Sequence, residues 1–171
     1  KYCQQGSLLE IGSAYGFFLN LASKYFQTTG YEISPKAAEY ARTHFKLNIK
    51  SDDFLTDHIP DESFDIVVMW DVIEHLPNPQ NFIQKIYKVL KRNGILALTT
   101  GDINSFMAQI QGEHWRLIHP PIHLHYFSKQ SLTNLLQKFN FDVLEVSYPG
   151  FWRKEVFNQN DRDVRRGYNR P

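Results

Sequence analysis

Apolar residues follow two rhythms along this chain. Leu8, Leu9 and Ile11 form a short run, whereas Phe17, Phe18, Leu21 and Ala22 recur at the spacing of one helical face. The first rhythm predicts a buried strand in "SLLEIG", and the second a helix over 16–26. The alternation then continues. "TTGYEIS" predicts a strand, and Ser34-Pro35 opens a helix from 35 to about 46, because serine satisfies an orphan amide and proline is tolerated at the first helical position. A short strand near "NIKSDD" precedes "SFDIVVMW", whose Ile66, Val67, Val68 and Met69 predict a strand covered on both faces. A helix over 79–91, the strand "GILALTT" after an Asn93-Gly94 stop, a helix over 128–139 capped by Ser128, and the strand "FDVLEVSY" complete the pattern. Strands alternating with helices predict an α/β chain, a Rossmann-like, doubly wound, mainly parallel sheet flanked by helices.

Residues 101–127 break the rhythm. "GDINSFMAQIQGEHWRLIHPPIHLHYF" has no clean period and gathers Trp115, Arg116, Pro120, Pro121 and four histidines, His114, His119, His123 and His125. Irregular segments this long are lids, binding loops or disordered stretches, and the aromatic content argues for order. A substrate lid within a domain spanning 1–150 is the expectation.

Composition narrows the partners. A chain of 171 residues with 42% hydrophobic residues is one domain long and can bury roughly 70% of its unfolded surface. Its net charge of +1 gives no global reason to expect nucleic acid or an anionic membrane. From Phe151 onward six basic and three acidic residues leave the tail at +3 and the remainder at −2. Cys3 is the only cysteine, so an intramolecular disulfide is excluded. No apolar run approaches the ~18–20 residues that cross a bilayer, and a cytoplasmic location is expected. The chain opens at Lys1, without an initiator methionine, so a preceding segment is kept in view.

The candidate chemistry starts at the first strand-to-helix junction, where open α/β sheets bind ligands. A nicotinamide-binding turn wants GxGxxG, but Gly12 is followed by Ala14, Gly16 and Phe17 at plus two, four and five. That dinucleotide pattern fails. Glu10-x-Gly12-x-x-x-Gly16 instead resembles the first motif of class I S-adenosylmethionine (SAM)-dependent methyltransferases, an acidic residue followed by GxGxG. Ala14 departs from the middle glycine, and its methyl is tolerable if φ there stays below zero. Three more positions carry the resemblance: Glu32 ending "GYEIS", Asp53-Phe54 after the third strand, and the run "FDIVVMWDVIEHLPNPQNFIQKIYKVLKRNGILALTT". That run is similar to the branch containing ubiquinone-biosynthesis O-methyltransferases and many sugar and small-molecule methyltransferases.

The resemblance implies the class I methyltransferase fold with SAM as cofactor. It implies a binding turn of Glu10, Gly12, Ser13, Ala14 and Gly16, and Glu32 on the ribose hydroxyls with Ile33 beside it. Asp53 and Phe54 would meet adenine, and Trp70 with Asp71 would line the methionine end. The acceptor would be a small molecule, with its hydroxyl oxygen methylated.

Methyl transfer is an in-line displacement needing no covalent intermediate, so the acceptor's proton is the main extra demand. Asp71, Glu74 and His75 in "DVIEH" stand at i, i+3 and i+4, and a helical turn starting at Asp71 would put them on one face. His75, whose unperturbed pKa lies near 6.5, is a candidate base, with Asp71 beside it. An ExxEH pattern at this place holds a divalent metal in some ubiquinone-pathway and small-RNA methyltransferases; here Asp71 replaces the first glutamate. The alternative is that Glu74 and His75 pair only with backbone or solvent. A further ligand would come from His119, His123 or His125. Tyr126 and Phe127 are expected to close the core, one histidine of the His123-x-His125 pair to point inward, and Trp115 to serve as lid or core anchor.

The resemblance weakens at the C-terminal end. "FDVLEVSY" supplies a sixth strand, but a seventh is either degraded around 152–157 or outside the chain. An uncovered edge would favour a homodimer. Two rival functions remain: a metal-assisted RNA 2′-O-methyltransferase that uses the basic tail, and a catalytically silent SAM-binding module.

Overall fold

The computed structural model describes residues 3–148. Residues up to Phe141 form one compact unit. Its strands are β1 (Gly6–Ile11), β2 (Phe26–Tyr31), β3 (Ile49–Lys50), β4 (Phe64–Trp70) and β5 (Leu90–Thr99). They form one sheet in the order β3-β2-β1-β4-β5, and every neighbouring pair is parallel. The helices are α1 (Phe17–Ala22), α2 (Pro35–Phe45), α3 (Pro79–Val89), α4 (Phe106–Gln111) and α5 (Lys129–Lys138).

The period of two along each strand splits the core in two. Leu9, Ile11, Val67 and Met69 join one cluster with Ile83 and Ile86 of α3, against which Leu132, Leu135 and Leu136 of α5 also pack. Leu8 and Val68 join the other, with Leu19 and Ala22 of α1 and Ala38 and Ala41 of α2. A sheet covered on both faces is the doubly wound arrangement that the alternating pattern predicted. Ser34, Asn78 and Ser128 cap α2, α3 and α5 with side chains that accept from Ala37, Asn81 and Ser131 amides. Both Pro35 and Pro79 sit in the first turn.

Several boundaries differ from the sequence expectation. Helix α1 ends at Ala22, because Phe26 already pairs with Gly6 as the start of β2. The Asn93-Gly94 pair does not precede β5 but lies inside it: Leu90 pairs with Phe64 and Ile95 with Ile66, so residues 91–94 form a bulge with Asn93 at φ 60°. The insert holds an ordered helix, α4, capped by Ser105. Trp115 is buried, and so is Phe127, which bridges to Asp102, whereas the neighbouring Tyr126 is exposed, so only one of the two aromatic residues expected to close the core does so.

The sixth strand is corrected too. Residues 141–148 carry no strand, although their composition alternates; alternation gives strand only where a ladder supplies partners for the backbone. Residues 142–148 belong to a second unit and expose Leu144, Val146 and Tyr148. The basic tail and the degraded seventh strand, both from 151 onward, lie outside the described residues. Among the described residues no helix is long and apolar enough to cross a membrane.

Candidate functional site

Strand order reverses at β1, which has β2 on one side and β4 on the other. The loops leaving β1 and β4 therefore flank the switch point where such sheets bind ligands. They also touch: a Cβ added to Gly12 would meet Val72 Cγ2 at 2.6 Å.

The loop after β1 is held in an unusual backbone path. Gly12, Ala14 and Gly16 have φ of 75°, 46° and 78°. The Gly12 and Ser13 amides donate to the Tyr31 carbonyl at 2.8 and 3.0 Å, which ties the loop to the end of β2. Ala14 thus breaks the expectation of a negative φ. In this conformation its amide donates to Glu32 Oε2, 2.7 Å away, a charge-assisted bond that offsets the strain. The other oxygen of Glu32 accepts the Ser34 amide at 2.7 Å. Each carboxylate oxygen keeps a second lone pair for a ligand hydroxyl.

Glu10 and Ser13 lie beside this carboxylate and are buried, with Glu10 only 3% exposed. Neither Glu10 Oε2 nor Ser13 Oγ has a hydrogen-bond partner. Burial, reinforced by the nearby Glu32 charge, pushes the Glu10 carboxyl up to about 8. Two carboxylates and an unpaired hydroxyl suit a ligand bearing positive charge and hydroxyl groups. SAM has both, so these residues fit it.

The remaining positions are distributed around the same edge. Ile33 is 85% exposed next to Glu32. Asp53 turns its Oδ1 onto the Leu55 amide at 2.9 Å. Phe54 is buried, edge-on to Tyr31 and stacked near Phe82 with centroids 5.3 and 5.7 Å away, so its ring is largely engaged by the core. Trp70 packs edge-on against Phe18, with its buried Nε1 unpartnered.

After β4, the expected trio separates. Asp71 has φ 52°, and Thr99 donates its hydroxyl to Asp71 Oδ1 at 2.8 Å. The helical turn begins later, as a 3-10 turn over Ile73–His75, so Asp71 does not share its face. Glu74 and His75 are instead joined by His123 from the insert. The Glu74 carbonyl accepts the Leu124 and His125 amides at 2.8 and 3.1 Å, which docks the insert on this turn. His123 and His125 both line one small cavity with Glu74, Thr100, Gly101, Trp115, Leu117 and Tyr126. The expectation that one histidine of the pair alone points inward is corrected: residues two apart in an extended run share a face, and both rings reach the same cavity. Thr100, Gly101 and Leu117 carried no sequence signal, since only the fold brings them to the cavity.

Known proteins place this architecture. The family model described as "Methyltransferase domain" matches residues 3–146. A ubiquinone biosynthesis O-methyltransferase of Glaesserella parasuis is 34% identical over 113 residues, covering 59% of this chain and 48% of its own. The solved SAM-dependent methyltransferase of Thermotoga maritima superposes with a TM-score of 0.68 at 25% identity, over 80% of this chain and 64% of its own. One from Methanosarcina mazei gives 0.67 at 24% identity, over 86% and 84%. The chain spans about half the length of the first curated relatives it matches. By the extent of the family match and the fold that carries it, this chain belongs to the class I SAM-dependent methyltransferases.

Proposed function

We propose that the protein transfers the methyl group of SAM to a hydroxyl oxygen of a small molecule, such as a sugar or a polyprenyl or aromatic phenol. The name of the Glaesserella relative, an O-methyltransferase, supports oxygen as the acceptor atom. SAM supplies an electrophilic methyl on a sulfonium; the protein's task is to hold it, align the acceptor and take up a proton.

In this reading the loop Gly12, Ser13, Ala14 and Gly16 lets the backbone approach the cofactor closely. Glu32 accepts the ribose hydroxyls through its two free lone pairs. Glu10 balances the cofactor's positive charge, and Ile33 covers adenine, with Asp53 at the adenine edge and Phe54 supporting that side from the core. Trp70 lies toward the methionine end. Residues 1–150 act as the cofactor domain, with 101–127 as the acceptor's lid. The acceptor's proton leaves toward His75, whose Nδ1 is engaged by the Ile122 carbonyl at 2.9 Å, leaving Nε2 able to accept. Asp71 assists by fixing the end of β5 beside it through Thr99. A cytoplasmic setting and a homodimer fit the same reading.

The observation that carries the proposal is the buried Glu32 carboxylate shaped by two amides, next to the unpaired Glu10 and Ser13. Calorimetric titration with S-adenosylhomocysteine tests the cofactor half, with binding expected at one site per chain. Transfer of labelled methyl from SAM to hydroxyl-bearing rather than amine acceptor pools tests the other half. Failure to bind the nucleoside overturns the reading.

A further inference from the structure

Lys85 is half-buried on α3, a helix whose Ile83 and Ile86 belong to the core. Its ammonium donates to two backbone carbonyls outside its own helix, Leu55 at 3.1 Å and Asp57 at 2.5 Å, and lies 5.1 Å from the centre of the Phe54 ring. All three groups belong to the turn that Asp53 opens, where the Asp53 carbonyl accepts the Thr56 and Asp57 amides at 3.1 and 3.0 Å. Burial disfavours the charge on Lys85, and the two carbonyls and the ring face offset that cost.

The sheet grips the same turn from the other side. The Tyr31 hydroxyl donates to the Asp57 carboxylate, and so does the Lys50 ammonium, at 2.7 Å. Tyr31 and Lys50 are register partners in β2 and β3, and the Tyr31 carbonyl is the one that accepts the Gly12 and Ser13 amides. One residue therefore joins the glycine loop to the Asp53 turn.

We propose that Lys85, with Asp57 as its counterpart on the sheet side, is a positioning residue that sets Asp53 against the amino edge of the cofactor's base, so that α3 governs discrimination of adenine from a 6-oxopurine. The inference rests on the methyl-transfer reading, which puts Asp53 at that edge. Asp53 Oδ1 accepts the Leu55 amide at 2.9 Å, and Leu55 is the residue whose carbonyl Lys85 holds, so the orientation of the carboxylate follows the clamp. A carboxylate accepts from an exocyclic amino group and repels a carbonyl oxygen in its place. Such recognition needs its groups held within about 0.5 Å, and a turn released from Lys85 would take either base.

The test is calorimetry on the full chain with S-adenosylhomocysteine and S-inosylhomocysteine, in which a carbonyl replaces the amino group. The parent is expected to prefer the adenosyl compound by about 10- to 100-fold. Lys85→Met keeps the length of the side chain and removes its donors; adenosyl affinity should fall about 10-fold with inosyl affinity within about twofold of the parent, so the preference collapses. A merely destabilised fold would weaken both nucleosides together. Asp57→Asn keeps the backbone carbonyl but loses the ion pair with Lys50, and should lower the preference by about threefold or more. It carries the test should Lys85→Met fail to fold. Lys88→Met, at an exposed lysine of the same helix, should keep the parent's preference. Without nucleoside, hydrogen exchange at the Thr56 and Asp57 amides should quicken about 10-fold in Lys85→Met. Unchanged exchange, equal loss for both nucleosides, or a parent that binds them equally overturns the proposal. A parent that binds neither nucleoside overturns the methyl-transfer reading and this role together, whereas binding with a preference that neither variant moves overturns this role alone.

Discussion

Glu32 and Ala14 hold each other in place: the Ala14 amide donates to Glu32 Oε2 at 2.7 Å from a backbone with φ 46°, where alanine is disfavoured. A left-handed residue costs about 1–2 kcal/mol, and a charge-assisted hydrogen bond returns a comparable amount. The loop after β1 thus keeps its shape through a side chain of the next strand's end, so cofactor contact and loop geometry depend on one carboxylate.

Glu32→Ala removes both amide bonds and both free acceptor sites. Affinity for S-adenosylhomocysteine is expected to fall by at least about 10-fold, the lower range for losing a hydrogen bond to a charged group. Isothermal calorimetry measures it, and parent-like affinity would show that the nucleoside binds elsewhere.

Ala14→Gly relieves the positive φ without disturbing the amide. The gain, offset by glycine's extra unfolded-state entropy, is expected to be up to about 1 kcal/mol. Urea denaturation checks it: a lower midpoint in Ala14→Gly would mean the alanine methyl makes a contact worth more than the strain.

Gly16→Ala is expected to act in the opposite direction. Its φ is 78°, and an added Cβ would stand 2.8 Å from both Ala41 Cβ and Leu47 Cδ1. Strain and overpacking together should destabilise by about 1–3 kcal/mol. Because Gly16 precedes α1, the same change should weaken nucleoside binding, read from thermal shift with and without ligand.

Glu10 makes stability depend on pH. Its folded-state carboxyl is raised from 4.5 to about 8, so the folded chain binds a proton that the unfolded chain has released. Its contribution is therefore complete below pH 4.5 and lost progressively as pH rises through 8. The Tm difference between the parent and Glu10→Gln should shift against the parent across that window. A cationic ligand favours the ionised form, so nucleoside binding by SAM at pH 7 should release a proton, seen as a buffer-dependent calorimetric enthalpy.

The acid side has a separate cause. Asp65 is held down to about 2, chiefly by the Lys91 ammonium at 2.7 Å and then by the Ser7 amide. A depressed carboxyl stabilises above its unfolded value near 3.8 and loses that effect as pH falls toward 2. Asp65→Asn should flatten this acid limb in a series of thermal melts.

The sequence alone determined the architecture of the sheet and its flanking helices, because short-range hydrophobic patterns and caps encode it. The short apolar runs of Leu8 to Ile11 and Ile66 to Met69, and the caps Ser34 and Ser128, were enough to order these strands and helices. The glycine spacing after β1 was likewise readable, since a turn that lets backbone approach a ligand must write itself in small residues. Tertiary structure decided what long-range contact controls. It turned Asp71 onto Thr99, 28 residues away, sent Phe54 into the core and brought His123 to Glu74 and His75 across the fold. It also withheld a strand from residues 141–148, whose alternation is only a capacity for pairing. Period and capping are properties of neighbours along the chain, whereas a ligand set is a property of neighbours in space, and only packing chooses those.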